Sequence, residues 1–507
     1  MTPHPDHSPA ARQAFRTHQE PLSGELLSLG HVHFLGVGGV GVSGIARILQ
    51  DQGVPVSGTD AKDLPVMHRL AEGGATMFVG YDAAHLDAAG DVATVVASSI
   101  AGPGNPEYDE AVRRGITVLH RSQGLAAAMA GHRVLAVAGT HGKTTTSSMA
   151  AMAFTLAGAD PTFAVGADVA GLGTNAAAGS GEWFIAEADE SDGTLLNYRP
   201  EVAIVTNVEA DHLDFYGSED AVHQVFRDFA LLLPPDGTVV VCVDGPGGQG
   251  LADWIRTRRE DGHPAPRLVT YGTQELAPQA DLVLLASDPA VHESGPGQRA
   301  QLRWQSGGEV RLDLAVPGAH NALNAAAVLA AGRAAGLAEQ LIAEGLEAFR
   351  GTARRFEHRG GAGGVRVFDD YAHHPTEVSA AVAAGRSVAQ GHRVLVLFQP
   401  HLFSRTRDFA EGFAQALSAA DVVRVLPIYP AREQPIPGVD SSLIAERLEP
   451  SLDGSGRVAE DADAAVRELV ETARPGDVIL TMGAGDVTDQ GPVLVCQLKR
   501  RFSEGSR

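Results

Sequence analysis

The sequence predicts an α/β protein made of three doubly wound domains. Apolar runs of four to six residues alternate with helical segments, and this alternation starts anew at three points along the chain. Such runs are typical of parallel strands whose sheet is covered by helices on both faces. A chain of 507 residues also has room for two or three domains with full-sized cores.

The restarts divide the chain near residues 131 and 351. Residues 1–29 are rich in Pro, His and Ala and lack the apolar run of a signal peptide, so we interpret them as a mobile tail. We assign residues 30–131 to a first domain, 132–351 to a central domain and 352–507 to a C-terminal domain. Between about 261 and 308, short alternating runs predict a small antiparallel piece at the periphery.

The amino-acid composition argues against several classes of function. The 62 acidic residues outnumber the 39 basic ones and give a net charge of −23, which argues against nucleic acid or an anionic membrane surface as a partner. No stretch approaches the roughly 18 apolar residues that span a bilayer. Cys242 and Cys496 lie far apart; one disulfide is the alternative, and we favour two buried thiols of a cytoplasmic protein. The chain has only three lysines, Lys62, Lys143 and Lys499.

The first candidate motif is a glycine loop in the first domain. Gly36, Gly38 and Gly41 follow the strand VHFL and open a helix, while Asp60 ends the next strand. Glycines let the N–H groups of a helix N-terminus approach a diphosphate without any lysine. The residues leave three alternatives: a dinucleotide cofactor with Asp60 on its ribose, another diphosphate ligand, or a structural turn.

A second loop opens the central domain and predicts ATP binding. The strand VLAVA runs into the loop and helix start GTHGKTTT. In such a loop the backbone surrounds phosphates, Lys143 reaches the β- and γ-phosphate oxygens, and the Thr144 hydroxyl faces Mg²⁺. Val137 stands where the longer consensus has its first glycine. An ordinary strand–turn–helix is the alternative, and the scarcity of lysine counts against it.

Acidic residues follow the next two strands of the central domain. They are Glu187, Asp189, Glu190 and Asp192 after the first, and Glu209, Asp211, His212 and Asp214 after the second. Ligands bind at the carboxyl ends of parallel strands, so these acids are candidate Mg²⁺ ligands, although most exposed acids are merely solvated. Their position beside the lysine loop favours Glu187 and His212.

Polar groups also cluster later in the chain. Asn321 and Asn324 share one helix face and could address a base or ribose, with N-capping by one of them as the alternative. The segments DDYAHHPTE and FQPHLFSRTR follow two strands of the last domain and carry more hydrogen-bonding groups than a turn needs. Arg354 and Arg355 lie in the linker, where they could reach a phosphate.

Taken in order, these motifs resemble those of the Mur ligases over about residues 30 to 490. The matching segments are GVGGVGVSGIA, GTHGKTTT, EADESD, NVEADHLD, HNALNAAA, GTARRFE, DDYAHHPTEV, FQPHLFSRTRD and GAGD. The resemblance implies a Rossmann-like N-terminal domain that holds a UDP-sugar, a central P-loop ATPase domain, and a Rossmann-like α/β C-terminal ligase domain that closes over the site.

The resemblance also implies a reaction. The branch of the family that it favours joins L-alanine to the lactyl carboxylate of UDP-N-acetylmuramate through an acyl phosphate, and releases ADP and phosphate in peptidoglycan synthesis. ATP and Mg²⁺ are the implied co-substrate and cofactor, and a monomer or weak dimer is expected. The alternatives are a recycling ligase that adds a tripeptide to the same sugar nucleotide, folylpolyglutamate synthetase, an NAD-dependent oxidoreductase and an ATP-regulated binding module.

By resemblance, residue roles carry over as follows. The catalytic set is Lys143, Glu187, His212, Arg355 and Asp370. Mg²⁺ is expected on Thr144, Glu187 and His212. ATP is expected on Gly139, Thr140, His141, Gly142, Lys143, Thr144, Thr145, Asn321, Asn324 and Arg355. The UDP-sugar and amino acid are expected on Gly36, Gly38, Gly39, Gly41, Ser98, Ser99, His373 and Arg405.

Two departures from the family pattern carry expectations of their own. Several sister ligases use a carbamylated lysine in the central domain, but Lys143 is the only lysine between Lys62 and Lys499, so we predict no carbamate. The family usually has an arginine after the histidine of FQPH, where this chain has Leu402. Arg405 is therefore expected to carry more of that contact.

Overall fold

The computed structural model describes residues 29–98, 101–292, 295–431, 433–448 and 456–504. The interpreted tail, except for its last residue, and Ser99 lie outside these ranges. The described chain forms two compact units. The first holds the chain up to Leu284 with Arg303–Gly308 and Asn324–Ala348; the second holds Leu285–Leu302, Glu309–Leu323 and the chain from Phe349 onward.

The first domain is a five-stranded parallel sheet in the order β3-β2-β1-β4-β5. Its strands are β1 (His31–Leu35), β2 (Val56–Asp60), β3 (Thr76–Val79), β4 (Val92–Ala97) and β5 (Thr117–His120). Its helices are α1 (Val40–Asp51), α2 (Pro65–Glu72), α3 (His85–Ala88), α4 (Pro106–Arg114) and α5 (Arg121–Ala128). The strand order reverses between β1 and β4, which is where doubly wound sheets bind ligands.

The helix ends of this domain follow local sequence signals. Asn105 caps α4 by accepting from the N–H groups of Glu107 and Tyr108, and Pro106 occupies the first helical position, where its missing N–H costs nothing. Gly115 ends the helix in the left-handed region at φ 73°. The sequence therefore fixes both ends of α4.

The central sheet has ten strands in the order β15-β14-β13-β12-β11-β10-β6-β9-β7-β8. From β13 to β7 neighbouring strands are parallel, and β7 and β8 are antiparallel. The strands are β6 (Arg133–Ala138), β7 (Thr162–Val169), β8 (Thr174–Ala177), β9 (Trp183–Glu187), β10 (Val202–Val205), β11 (Thr238–Cys242), β12 (Arg267–Thr273), β13 (Leu282–His292), β14 (Gly295–Trp304) and β15 (Glu309–Leu314). The segment expected between about 261 and 308 to form a small antiparallel piece forms β12, β13 and β14 near one end of the central sheet, and the expectation was wrong for β12, which pairs in parallel with both β11 and β13.

Six helices belong to this part of the chain. They are α6 (Lys143–Leu156), α7 (Leu213–Tyr216), α8 (Glu219–Ala230), α9 (Pro246–Glu260), α10 (Ala319–Ala334) and α11 (Glu339–Ala348). The helix on which Asn321 and Asn324 were expected to share a face is α10, and its alanines from Ala325 to Ala327 are buried. Small side chains allow such close packing of a helix.

One apolar core runs through the first and central domains. It includes Val32 and Phe34 of β1 as well as Phe184 of β9 and Val205 of β10. The contact is direct, because α1 packs against the β7–β8 hairpin: a Cβ at Gly44 would lie 3.0 Å from the Ala176 Cβ. The two domains separated near residue 131 in the sequence thus share an interior.

The C-terminal domain is a six-stranded sheet in the order β16-β17-β21-β18-β19-β20. Only β16 pairs antiparallel, with β17. The strands are β16 (Glu357–Ala362), β17 (Val365–Asp370), β18 (Val394–Phe398), β19 (Val422–Val425), β20 (Gly456–Val458) and β21 (Val478–Met482). The helices are α12 (Pro375–Ala389), α13 (Phe403–Leu417), α14 (Ser442–Ala445), α15 (Ala462–Thr472) and α16 (Gln490–Glu504).

Two separate apolar clusters flank this last sheet. One contains residues of α12 and α13, and the other contains residues of α15 and α16. Helices on both faces confirm the doubly wound architecture expected here. Among the described residues, no helix has both the length and the apolar character that crossing a bilayer requires.

Candidate active site

The glycine loop of the first domain is held by backbone contacts that only glycine permits. Gly36 adopts φ 73° and donates its N–H to the Thr59 carbonyl at 2.8 Å. A Cβ at Gly38 would collide with the Leu64 side chain. Gly39 stands at the N-cap of α1, and Gly41 lies in its first turn. The four glycines predicted to bind a diphosphate are therefore together at a helix N-terminus.

Asp60 braces this loop from the end of β2. Its Oδ2 accepts the N–H of Gly38 at 2.9 Å, and its Oδ1 accepts the N–H of Lys62 at 3.2 Å. In the dinucleotide alternative, this carboxylate would bind a ribose hydroxyl. Its engagement with two backbone N–H groups favours a structural role, and hence a diphosphate ligand other than a dinucleotide.

Two hydroxyl groups face the same loop. The Ser98 Oγ is buried, has no hydrogen-bond partner among the described residues, and lies 3.9 Å from the position of a Cβ on Gly36. The Tyr81 hydroxyl lies 3.7 Å from that position. Burial and the nearby Asp60 and Glu107 raise the pKa of Tyr81, so it stays a donor. Sequence reasoning missed Tyr81, which no motif marks.

The lysine loop between β6 and α6 is braced by the segment that follows β10. Gly139 has φ 132°, and a Cβ there would collide with the Thr206 hydroxyl. The His141 N–H donates to Asn207 Oδ1 at 2.8 Å, and Thr140 Oγ1 accepts the N–H of Glu209 at 2.9 Å. Two strand ends therefore fix the lysine loop. Asn207, the first residue of the segment NVEADHLD, positions this loop, a role that the sequence did not indicate.

Lys143 begins α6 and turns back over the loop. Its Nζ donates to the carbonyl oxygens of Gly139 at 2.8 Å and Thr140 at 3.1 Å, and lies 2.7 Å from Glu190 Oε2. Burial disfavours the charged form, but Glu190 and Asp189 outweigh it and raise the pKa of Lys143. The ammonium is therefore retained as the local positive charge.

Thr144 and Glu187 form an oxygen-rich corner beside the loop. Thr144 Oγ1 donates to Glu187 Oε1 at 3.0 Å, and the Gly166 N–H donates to Glu187 Oε2 at 2.7 Å. A Cβ at Gly166 would lie 2.6 Å from that carboxylate and 2.8 Å from Thr144 Oγ1, so a larger residue would have to displace these side chains. A hydroxyl and a carboxylate side by side fit Mg²⁺, which prefers oxygen ligands.

The His212 side chain points at two acids. Its Nε2 lies 3.7 Å from Glu190 Oε1 and 3.6 Å from Asp211 Oδ2. Glu190 thus lies between Lys143 and His212, and burial, partly offset by Lys143, raises the pKa of Glu190 to about 7. From the sequence, Glu190 was one of a group of acids most of which were expected to be solvated. In the structure its side chain is only 2% exposed.

The two asparagines lie inside α10, which begins at Ala319, so neither is an N-cap. A Cβ at Gly142 would lie 3.2 Å from Asn324 Oδ1, which places this amide at the lysine loop. The Asn321 Nδ2 donates to the Pro317 carbonyl at 2.8 Å. Asn324 therefore lies beside the lysine loop, and its contact with a nucleotide stays a prediction. Thr145 lies in the first turn of α6.

Within the second unit, the linker arginines surround an aromatic ring. The guanidinium carbons of Arg354 and Arg355 lie 4.8 Å and 5.2 Å from the centroid of Tyr371. Arg354 also donates to the Gly483 carbonyl at 2.7 Å, whereas Arg355 Nη1 lies 3.9 Å from Glu377 Oε1. Arg354 thus braces the backbone.

Asp370 is the carboxylate at the end of β17. Its Oδ2 accepts the N–H of Phe356 and its Oδ1 that of Ala372, both at 2.8 Å. Burial, opposed by Arg355, raises the pKa of Asp370 to about 6. These contacts fix the loop that carries the linker arginines.

Two neutral imidazoles stand near Arg405. The His373 Nδ1 donates to the Tyr371 carbonyl at 3.0 Å, and its ring centroid lies 6.0 Å from that of His401. Burial lowers the pKa of both histidines to about 4. Arg405, on the first turn of α13, is buried. Leu402, the departure from the family pattern, adopts φ 70° at the N-cap of that helix.

Three family models match the chain in order. "Mur ligase family, catalytic domain" matches residues 31–133, "Mur ligase middle domain" matches 137–332, and "Mur ligase, glutamate ligase domain" matches 354–485. The chain belongs to the Mur ligase family, as the motifs indicated. The words "glutamate ligase" name a type of domain. They do not say which amino acid this chain adds.

Comparison with similar proteins indicates which branch of the Mur ligase family the chain resembles. A UDP-N-acetylmuramate–L-alanine ligase of Paenarthrobacter aurescens is 54% identical over 470 residues, which cover 93% of this chain and 97% of that protein. The ligase of the same name from Mycobacterium avium is 46% identical over 495 residues, with 94% and 97% covered.

Solved structures agree with this family. The UDP-N-acetylmuramate-alanine ligase of Thermotoga maritima superposes with a TM-score of 0.73 at 26% identity, covering 94% of this chain and 99% of that one. A murein peptide ligase of Psychrobacter arcticus gives a TM-score of 0.65 at 23% identity, with 92% and 98% covered. This second likeness is one of fold.

Proposed function

We propose that the protein joins L-alanine to the lactyl carboxylate of UDP-N-acetylmuramate, with ATP converted to ADP and phosphate. The observation that carries the proposal is the near full-length similarity, at 54% identity, to a ligase named for these two substrates. Two glycine-rich loops that each open a helix, within one compact unit, supply a place for each polyphosphate.

The first half of the reaction brings anions together. The lactyl carboxylate attacks the γ-phosphorus of ATP, the bond to ADP breaks, and an acyl phosphate forms. Lys143 and the N–H groups at the start of α6 neutralise charge on the phosphates during this step. A bound Mg²⁺ adds further neutralisation; Thr144 and Glu187 would hold it together with His212.

The second half forms the amide bond. The neutral amine of L-alanine attacks the acyl carbon, phosphate leaves, and a proton is lost from nitrogen. We assign Arg355 and Arg405 to the anionic groups of this step, namely the phosphate and the alanine carboxylate. His373, neutral because burial lowers its pKa to about 4, provides a hydrogen-bonding group there. Asp370 keeps the loop of Arg355 in place.

A phosphate-release assay tests the proposal. We expect ATP-dependent phosphate release only when UDP-N-acetylmuramate and L-alanine are both present, with glycine, L-serine and the tripeptide run in parallel. Release with the tripeptide but not with L-alanine would replace the proposal by the recycling ligase. Release with neither would reject both ligase assignments.

The oxidoreductase alternative has its own measurement. It predicts that NADH fluorescence changes on mixing with the protein, whereas we expect no change because Asp60 is engaged by the loop backbone. We place the reaction in the cytoplasm, where ATP is available, and we expect gel filtration to show a monomer or a weak dimer.

A further inference from the structure

Arg121, the first residue of α5, faces the glycine loop of the first domain. Its Nη1 lies 3.6 Å from the position of a Cβ on Gly41, in the first turn of α1. Its Nη2 donates to Asp189 Oδ2 at 3.1 Å, and the side chain is 31% exposed. The guanidinium therefore has one nitrogen on an acid of the central domain and another beside the predicted diphosphate loop.

This is an unfavourable place for a lone cation. The N-terminus of a helix carries partial positive charge, so a cation placed there is destabilising. Arg121 lies at two such ends, its own helix and α1, and neither helix has an acidic residue in its first turn. Helix α1 also has no side-chain cap. The positive charge collected here suits an anionic ligand.

Among the described residues, Asp189 is the acid that contacts Arg121, and it lies in the segment beside the lysine loop. Asp189 accepts from Arg121, and it directly precedes Glu190, whose Oε2 lies 2.7 Å from Lys143 Nζ. Asp189 thus connects Arg121, which lies beside the glycine loop, to the segment whose next residue pairs with Lys143. The buried Ser98 hydroxyl, without a partner among the described residues, points to the same glycine loop and offers a neutral hydrogen bond.

We propose that Arg121 binds the diphosphate of the sugar nucleotide and that Asp189 holds it in register with the ATP loop. The guanidinium adds charge-assisted hydrogen bonds that the glycine N–H groups cannot supply. The inference rests on the proposed function for the identity of the ligand, and it adds a residue that no sequence motif indicated. In a chain with three lysines, an arginine brought from the end of β5 fills the role of a phosphate-binding cation.

Steady-state kinetics of Arg121→Ala test the proposal. We expect the KM for UDP-N-acetylmuramate to rise at least tenfold while the KM for ATP stays within twofold of wild type. Arg121→Lys, which keeps the charge, should recover part of the loss. Arg47→Ala is the matched control. Arg47 also reaches from α1 to the central domain, where it donates to Thr174 Oγ1 at a distance of 2.9 Å, but this contact is not at the glycine loop.

Inhibition by product fragments separates a diphosphate contact from a structural role. UDP and uridine share the nucleoside, so Arg121→Ala should weaken inhibition by UDP tenfold and leave that by uridine unchanged. The proposal would be overturned if inhibition by UDP and inhibition by uridine were weakened equally. It would also be overturned if the KM for the sugar nucleotide stayed within twofold of wild type. If the alanine variant does not fold, Arg121→Gln is measured against the same two outcomes.

The proposed function can fail independently of this inference. Wild-type protein without alanine-dependent phosphate release would reject the function, while direct binding of UDP to wild type and Arg121→Ala would still decide the role of the arginine. An active wild type with an unaffected Arg121→Ala variant would reject the inference alone.

Discussion

Lys143 is the first residue of a helix, and its ammonium group has three oxygen partners. Its ammonium contacts two loop carbonyls and Glu190, so its removal takes one charge from a site that must gather several phosphates. We expect Lys143→Ala to lower phosphate release at least about 1000-fold, since a phosphoryl-transfer site depends on such charge.

The control for this variant is Lys499→Ala, an exposed lysine of α16, which should retain wild-type turnover. Circular dichroism and melting temperature should show both variants folded. Retained turnover in a folded Lys143→Ala protein would contradict the assignment of the loop.

Gly166 gives a second test at residue scale. A methyl group there would lie 2.6 Å from Glu187 Oε2, so Gly166→Ala must displace the carboxylate expected to hold Mg²⁺. We expect a higher Mg²⁺ concentration for half-maximal activity. Gly250→Ala, where no atom lies within 4 Å of the added Cβ, is the matched control and should leave the Mg²⁺ dependence unchanged.

His401 should make the stability of the folded protein depend on pH. Burial and Arg405 lower its pKa from 6.5 to about 4 in the folded state. Between these values the unfolded chain binds the extra proton, so stability falls as pH decreases through this window. We expect His401→Asn to lose less melting temperature than wild type between pH 7 and pH 5. The exposed His263→Asn should follow the wild-type curve; a His401→Asn curve parallel to both would count against the idea.

At the scale of elements, the strand–loop–helix units were predictable because they depend on local patterns. Glycines marked both loops, Lys143 marked the second one, and apolar runs marked the parallel strands. The bracing of these loops was not predictable. Asn207, Tyr81 and Arg121 act across strand ends distant in the chain, and no local spacing reports which distant strand lies alongside.

The end of α12 offers a prediction for one element. Gln390 caps this helix at φ 49°, a left-handed conformation that costs a residue with a Cβ about 1 kcal/mol. Gln390→Gly should therefore raise the free energy of unfolding by about that amount without changing activity. Gly115→Ala, at the equivalent position of α4 with φ 73°, should lower it. Urea unfolding of both variants measures the pair, and a destabilised Gln390→Gly would contradict the argument.

At the scale of the whole molecule, the charge of −23 coexists with two proposed sites for polyphosphates. Local cations, helix N-termini and glycine N–H groups can provide positive potential without a basic surface. The same scarcity of lysine predicts that no carbamate takes part. Activity should be the same in carbonate-free buffer and with added bicarbonate; a rise with bicarbonate would show that the mechanism of the sister ligases applies after all.

The interior shared by the first and central domains bears on how such a chain can be rearranged. A cut near residue 131 would divide one apolar core, and a fragment 30–131 would expose the face of α1 that packs on the β7–β8 hairpin. Grafting the first domain of another sugar-nucleotide ligase would fail unless that face were carried along. Recombination that preserves folding should therefore exchange the first two domains as one inherited block.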